Sequence, residues 1–272
     1  MPDIRLPAVA GKFYPAKADE LNKQIRSFLG DGQAAKIEAL GCMLPHAGYM
    51  YSGNVAVKTA SRINIKNRVI LLGPNHTGEG QAFSIMTKGI WQTPLGKVNI
   101  DTDFAGKLLT SSKYLEEDSL AHLYEHSLEV ELPILQYFKT DFKIVPIALA
   151  SSDAASLKAL GKEIAHTILE SGEKDSTLIL ASSDMTHYEP QSSAERKDKQ
   201  AIQAILDLDE DMLMERIIRL DITMCGYAPV VVMLSAAKLL GAKSAQLIKY
   251  QTSGDITGDK SAVVGYAGII IQ

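Results

Sequence analysis

Short apolar runs alternate with segments of helical period along this chain. Ala18 to Leu29 carries Leu21, Ile25, Phe28 and Leu29 at the spacing of one helix face. Leu40 to Leu44 is a short buried strand running into Pro45-His46-Ala47-Gly48, and Val55 to Ile63 has a helical pattern. Val69 to Leu72 is an apolar run that ends at Gly73-Pro74-Asn75-His76. Phe104 to Leu109 predicts a short helix, and Leu128 to Phe138 a helix that Pro133 opens or kinks. Ile144 to Leu149 reads as a strand whose Pro146 points to an edge or a bulge. Ala155 to Leu169 places Leu157, Leu160, Ile164 and Ile168 on one amphipathic face. Leu178 to Ala181 is the next buried strand, ending at Ser182-Ser183-Asp184. Helices follow over Ala194 to Leu206, Met212 to Leu220 and Tyr227 to Leu240. The chain closes with a hairpin, Gln246 to Thr252 and Ala262 to Ile271, turning through Gly254-Asp255 and Gly258. The alternation predicts an α/β fold of three layers around a central, largely parallel sheet. The terminal hairpin makes that sheet mixed.

The length of 272 residues by itself allows one domain or two. Pro and Gly are spread evenly and no linker, repeat or low-complexity tract interrupts the pattern, so residues 1–272 are expected to form a single domain. Apolar residues at 46% and charged residues at 22% exclude a disordered or collagen-like chain. A net charge of −4 gives no basic excess for nucleic acid. The longest apolar stretch, Tyr227 to Leu240, is broken by Pro229, Ser235 and Lys238, so no membrane partner is expected. The segment from Met1 to Gly11 has an early Asp3 and two prolines where a leader would have an apolar run. With only 2 Cys there is no disulfide framework, and a reducing, cytoplasmic setting is expected.

Six His and two Cys are then the whole supply of nitrogen and sulfur metal ligands. Three apolar runs finish in polar turns that deliver His46, His76, and Asp184 with His187. Ligand sites of open α/β sheets lie outside the carboxyl ends of the strands, so parallel neighbours would bring these residues together. The separations are far too long for a finger-type zinc site and suit a site assembled from several loops. Taken singly, each His also reads as a hydrogen-bonded structural residue, and Ser182-Ser183-Asp184 as a helix cap. Cys225 precedes the helix that opens at Tyr227, where the helix dipole favours a thiolate; the alternative is a small buried hydrophobe. Cys42, inside a strand, takes that second reading, and His166 that of a helix surface. His122 sits in a loop-like stretch that points to no role. Glu125-His126-Ser127-Leu128-Glu129-Val130-Glu131 is either a supporting shell for ligands or substrate, or a helix capped by Ser127. Tyr49, Tyr51, Trp91, Tyr188 and Tyr227 flank the proposed loops. No Gly-x-Ser-x-Gly elbow, phosphate loop or dinucleotide fingerprint is present.

Six blocks in order resemble the Memo-like family, whose bacterial and archaeal members are called protein B of the AmmeMemoRadiSam system. They are Arg5 with Pro7 to Pro15, then Pro45-His46-Ala47-Gly48-Tyr49 with Tyr51-Ser52-Gly53, and Leu72-Gly73-Pro74-Asn75-His76. Glu125 to Glu129 with Leu132-Pro133, Ser182 to Tyr188, and Thr223-Met224-Cys225-Gly226 complete the set, and the likeness runs on to Gly265-Tyr266-Ala267-Gly268. That family is similar in fold and site layout to the class III extradiol ring-cleavage dioxygenases. The resemblance implies a metal held by His46, His76 and Cys225, with Cys225 where the ring-cleaving enzymes use Glu. It implies His187 and Asp184 as catalytic groups and His126, Glu125 and Tyr51 as supporting or substrate contacts. Fe(II) is the expected cofactor, with Cu or Zn as alternatives, and the expected activity is a metal-dependent oxidation of an unknown substrate. The resemblance also implies a functional link to AMMECR-type and radical SAM proteins. Two other readings use the same pocket: a non-enzymatic adaptor that binds a phosphopeptide or an anionic metabolite, and a zinc hydrolase. No Arg cluster for phosphate capture is visible, which counts against the adaptor.

Overall fold

The computed structural model describes residues 4–30 and 35–272; Met1, Pro2 and Asp3, part of the N-terminal segment read above, lie outside them. In chain order the elements are β1 (Ile4–Arg5), α1 (Ala18–Leu29), β2 (Gly41–Leu44), α2 (Tyr49–Ala60), β3 (Arg68–Pro74), β4 (Phe83–Ile85), β5 (Ile90–Thr93), β6 (Gly96–Ile100), α3 (Thr102–Ser111), β7 (Glu116–Glu117) and α4 (Leu120–Leu123). Then come α5 (Glu131–Phe138), β8 (Lys143–Leu149), α6 (Ala154–Glu170), β9 (Thr177–Ser182), β10 (His187–Glu189), α7 (Gln191–Leu206), α8 (Glu210–Arg219), α9 (Tyr227–Leu239), β11 (Ala245–Thr252), α10 (Gly254–Thr257) and β12 (Val263–Ile271).

One mixed sheet organises the described residues, in the order β1-β5-β6-β8-β3-β9-β2-β12-β10, with β11 on β12 and β4 on β8. Its centre, β8-β3-β9-β2, is parallel throughout. Every residue of β2, β3 and β9 is buried, as expected of parallel strands covered on both faces. Helices α1, α2 and α5 form one layer, and α3, α6, α7, α8 and α9 the other. Gly265 and Gly268 on β12 illustrate the two faces: the first abuts Asp198 of α7, the second Thr59 of α2. The predicted α/β class with a mixed, largely parallel sheet is the architecture found. No helix among the described residues is long and apolar enough to cross a membrane.

Two expectations need correction. Pro146 was expected to mark an edge or a bulge, yet β8 is an interior strand. It pairs with β3 along its length, and on its other side with β6 at Ile144 and with β4 at Ile147. The Pro146 carbonyl accepts from the Met86 N–H at 3.3 Å, so that residue's absent N–H faces the same side, where β6 gives way to β4. A missing donor is tolerated there because no continuous ladder asks for it. Helix α2 begins at Tyr49, six residues before the predicted Val55. Its first turn is rich in aromatic and small residues, poor in intrinsic helix propensity. Burial decides instead: the Tyr49 hydroxyl donates to the Val130 carbonyl at 2.6 Å, and Gly53 leaves room for Phe28 of α1.

A Cβ at position 268 would overlap the Thr59 side chain where α2 lies on β12. Gly268→Ala is therefore expected to lower the unfolding free energy by about 1–3 kcal/mol through overpacking, read from the urea midpoint.

Candidate metal centre

The parallel centre brings its carboxyl ends to one rim. Two residues beyond β3, β9 and β2, which are consecutive neighbours in the sheet, stand His76, Asp184 and His46. The predicted convergence of strand-end residues is thus present. The rim opens into a cavity of about 750 Å³ lined by His46, His76, His126, Asp184, His187 and Cys225, with Tyr51, Tyr188, Tyr266, Phe13 and Met50 as its apolar wall. Lys12 is the single lysine or arginine among the described lining residues.

Three imidazoles meet at the floor. Ligand nitrogens of His46, His76 and His126 lie within 4.8 Å of one another. The His76 and His126 rings stack at 4.6 Å and 25°, while His46 presents its edge to His76 at 5.2 Å. His126, read from the sequence as a supporting contact, therefore joins the two strand-end histidines. Cys225, expected as the third ligand, stands beside His46 with Sγ 3.3 Å from its Nε2 but falls outside this group of three mutually close ligand atoms.

Each ring is held through its Nδ1. Burial alone would raise the Glu125 carboxyl, but the hydrogen bond and charge of His76 and the Ser127 N–H outweigh it and hold it at about 2. An ionised carboxylate only accepts, so His76 Nδ1, 2.9 Å from Oε1, carries the proton. Nε2 is then the nitrogen that faces a ligand, an arrangement common to metal-binding histidines. The same carboxylate accepts from the His76 and Ser127 backbone N–H groups and lies 3.4 Å from His126 Nδ1. His46 Nδ1 is 2.7 Å from Ser182 Oγ at the end of β9. Burial, then the neighbouring imidazoles, push His46 well below the usual histidine range, and the same two causes lower His126. Neutral rings with free lone pairs are what a metal requires.

Asp184 acts on the backbone: its Oδ1 accepts from the N–H groups of His46 at 2.8 Å and Ala47 at 3.3 Å. Burial raises its carboxyl, against the pull of His187 and those two N–H groups. His187 Nδ1 is 3.0 Å from the Thr223 carbonyl, an acceptor only, so Nδ1 donates to it and Nε2 is not engaged by that bond. Cys225 departs from the sequence reading. Burial and the Asp184 charge raise its thiol rather than lower it.

The remaining candidates separate cleanly. Tyr51 and Tyr188 line the pocket, and Tyr188 holds a left-handed φ of 59° beside His187. Trp91 is buried away from the site beneath the Arg5 guanidinium, 4.2 Å from its ring. Tyr49 is in the core, and Tyr227 packs against it without lining the pocket. Cys42 is fully buried and His166 exposed, as read. Phe13 and Tyr266 were missed, because nothing local marks a residue that reaches a site only through tertiary packing. Glu129 lies before α5 and gathers Arg5, the Ala8 and Val9 N–H groups and the Tyr14 hydroxyl.

The six ordered blocks now have a shared geometry, and comparison of the whole chain gives a match to the Memo-like protein family over residues 5–270. The chain belongs to the Memo-like family. Among Memo-like relatives, a "MEMO1 family protein" of Methanococcoides burtonii is 44% identical over 270 residues, covering 99% of this chain and 100% of that one. A second, of Methanosarcina mazei, is 42% identical over 271 residues with the same coverage. The MEMO1 family protein MJ0403 of Methanocaldococcus jannaschii is 43% identical and covers 100% of both chains. Among solved structures, the uncharacterized protein JW3007 of Escherichia coli K12 shares the fold at a TM-score of 0.59 and 13% identity. It covers 85% of this Memo-like chain and 98% of its own.

His122, which sequence left without a role, is fully buried beside Trp91 with neither ring nitrogen hydrogen-bonded. Burial, and the charge of Arg5, lower it to about 4. The unfolded chain takes up a proton at His122 near pH 6.5 that the folded chain refuses, so stability present above that pH is lost as pH falls toward 4. The loss from this one group is about 3 kcal/mol. His122→Phe is expected to gain on the wild type by that order between pH 6.5 and 4 in chemical denaturation series, and to show no such trend above pH 7.

Proposed function

We propose that the pocket is a metal centre and that the protein is a metal-dependent oxidoreductase acting on a small molecule. The observation that carries this reading is the group of three imidazoles with mutually close ligand nitrogens, set at the rim of the parallel strands and open to a cavity. Nitrogen donors with a thiol alongside suit Fe(II), Cu or Zn and not Mg or Ca, which take oxygen ligands. His46, His76 and His126 would hold the ion, with Cys225 as a further donor beside His46. The likeness of the Memo-like family to class III extradiol dioxygenases favours Fe(II). Such an ion, when bound, supplies open positions at which substrate and dioxygen are brought together.

This chain's own residues account for the rest. Glu125 and Ser182 orient the ligand rings through Nδ1. His187, its Nδ1 tied to Thr223, presents Nε2 to take a proton from an acidic group of the substrate and to return it later. Asp184 keeps the 46–47 turn in place. Phe13, Tyr51, Tyr188 and Tyr266 exclude water and offer ring faces to an apolar or aromatic substrate.

Metal analysis of protein prepared and reconstituted without oxygen tests the reading. About one Fe, Cu or Zn per chain is expected, and His46→Ala and His76→Ala should each abolish stoichiometric binding. Wild-type protein that takes up none of the three, with His46→Ala indistinguishable from it, overturns the proposal. Cobalt substitution resolves the thiol: a sulfur-to-metal absorption band that disappears in Cys225→Ser identifies Cys225 as a ligand, and a spectrum unchanged in that variant leaves the three histidines alone.

Glu125→Ala leaves His76 without its carboxylate. A fall in metal affinity of roughly 10–100-fold is expected, measured by competition with a coloured chelator, with Glu125→Gln intermediate because it still accepts one hydrogen bond.

A further inference from the structure

Glu131 opens α5 and is fully buried, yet the site as described makes no use of it. Its Oε1 has one polar partner, Ser182 Oγ at 2.9 Å, and its Oε2 has none. No lysine or arginine pairs with it among the described residues. A buried carboxylate with one hydrogen bond and no counter-ion is costly by several kcal/mol, on the order of the penalty for any uncompensated buried ion.

Ser182 decides where the protons lie. Its Oγ has three neighbours at hydrogen-bond distance: the Ser127 carbonyl at 2.8 Å, Glu131 Oε1 at 2.9 Å and His46 Nδ1 at 2.7 Å. A hydroxyl has one hydrogen to give and two lone pairs to fill. The carbonyl of Ser127 only accepts, so the Ser182 hydrogen goes to it. Both remaining neighbours must then donate. His46 does so if Nδ1 is protonated, which is the tautomer that frees Nε2 toward Cys225 and the pocket. Glu131 does so only as a carboxylic acid.

We propose that Glu131 is a neutral carboxylic acid whose O–H, through Ser182, fixes the ring orientation and tautomer of His46. Burial pushes its carboxyl well above the ordinary range and the nearby Asp184 charge adds to this, although the Ser182 contact works against both. Glu131 is a positioning residue: it touches neither substrate nor ion and acts through Ser182. The protonation state stands on the hydrogen-bond inventory alone, whereas the consequence for metal affinity rests on the metal-centre reading above.

Two measurements keep these apart. Infrared difference spectroscopy of the full-length, metal-free protein against Glu131→Gln at neutral pH should reveal loss of a protonated carboxyl C=O stretch. Loss of a carboxylate band instead overturns the proposal, whatever the fate of the metal. Nitrogen-15 spectra of His46 in the same metal-free protein should report Nδ1–H; an Nε2–H tautomer also overturns it. Affinity for Zn(II) alone is the third readout. Glu131→Gln keeps a neutral donor and should hold the dissociation constant within about twofold, while Glu131→Met, of similar volume without a donor, should weaken it roughly tenfold. Equal weakening by Gln and Met overturns the donor role, as does a Met variant that loses stability but keeps wild-type affinity. If wild-type protein binds no Zn(II), the metal-centre reading fails while the infrared and nitrogen results still decide the state of Glu131.

Discussion

Three carboxylates buried within seven residues set the terms for everything around the site. Glu125, Glu129 and Glu131 are each fully shielded from water. A carboxylate in that position must find donors, lose its charge or destabilise the fold by several kcal/mol, on the scale of an unpaired buried ion. Each answers differently. Glu125 stays ionised and takes the His76 ring and two backbone N–H donors. Glu129 pairs with Arg5 and collects the N-terminal turn through Ala8, Val9 and Tyr14. Glu131 meets only Ser182. The requirement for donors thus ties the segment before α5 to the N-terminal strand, to the turn after β3 and to the end of β9.

That tie makes the rim more than a row of strand ends. Parallel pairing alone places His46 and His76 two strands apart, with Asp184 between them. Neighbouring strands lie about 4.8 Å apart, so the two histidines start roughly 10 Å from each other at the backbone. Their rings close that gap because each is held by a different polar partner, His76 by the Glu125 carboxylate and His46 by the Ser182 hydroxyl. His126 arrives on the same segment that carries Glu125, which explains why a histidine outside the sheet completes the group. The contacts at Nδ1 leave the Nε2 atoms of His46 and His76 facing the pocket.

Across the sheet, close approach replaces polar contact as the organising constraint. Gly268 lets α2 settle on β12, and Gly226 lets the start of α9 press on Ser182 and Ser183. The second approach delivers Cys225 to His46. It also shields the thiol and sets it near the Asp184 charge, and both raise it, against the lowering that its position before a helix would give. Burial outweighs the dipole here because the dipole's effect is confined to the first turn and is worth about 1 kcal/mol or less, while loss of solvation is larger.

The alternation of four-residue apolar runs with amphipathic helices determined the class of fold, since only a parallel sheet covered on both faces buries runs such as Val69 to Leu72 and Leu178 to Ala181 completely. It also determined that His46, His76 and Asp184 follow strand ends, because those positions are local. Short strands at the periphery of the sheet, such as β4, β5 and β7, were not legible, because two to four residues carry too little periodicity. The start of α2 was hidden for the same reason, as its first turn is helical through contacts with Phe28 and Val130 rather than through propensity. Only the tertiary structure decided that His126 joins the ligand group, that Tyr266 and Phe13 wall the pocket, and that two glutamates six residues apart take opposite protonation tendencies. Solvation and hydrogen-bond partners are properties of an environment, and that environment exists only once distant segments have met.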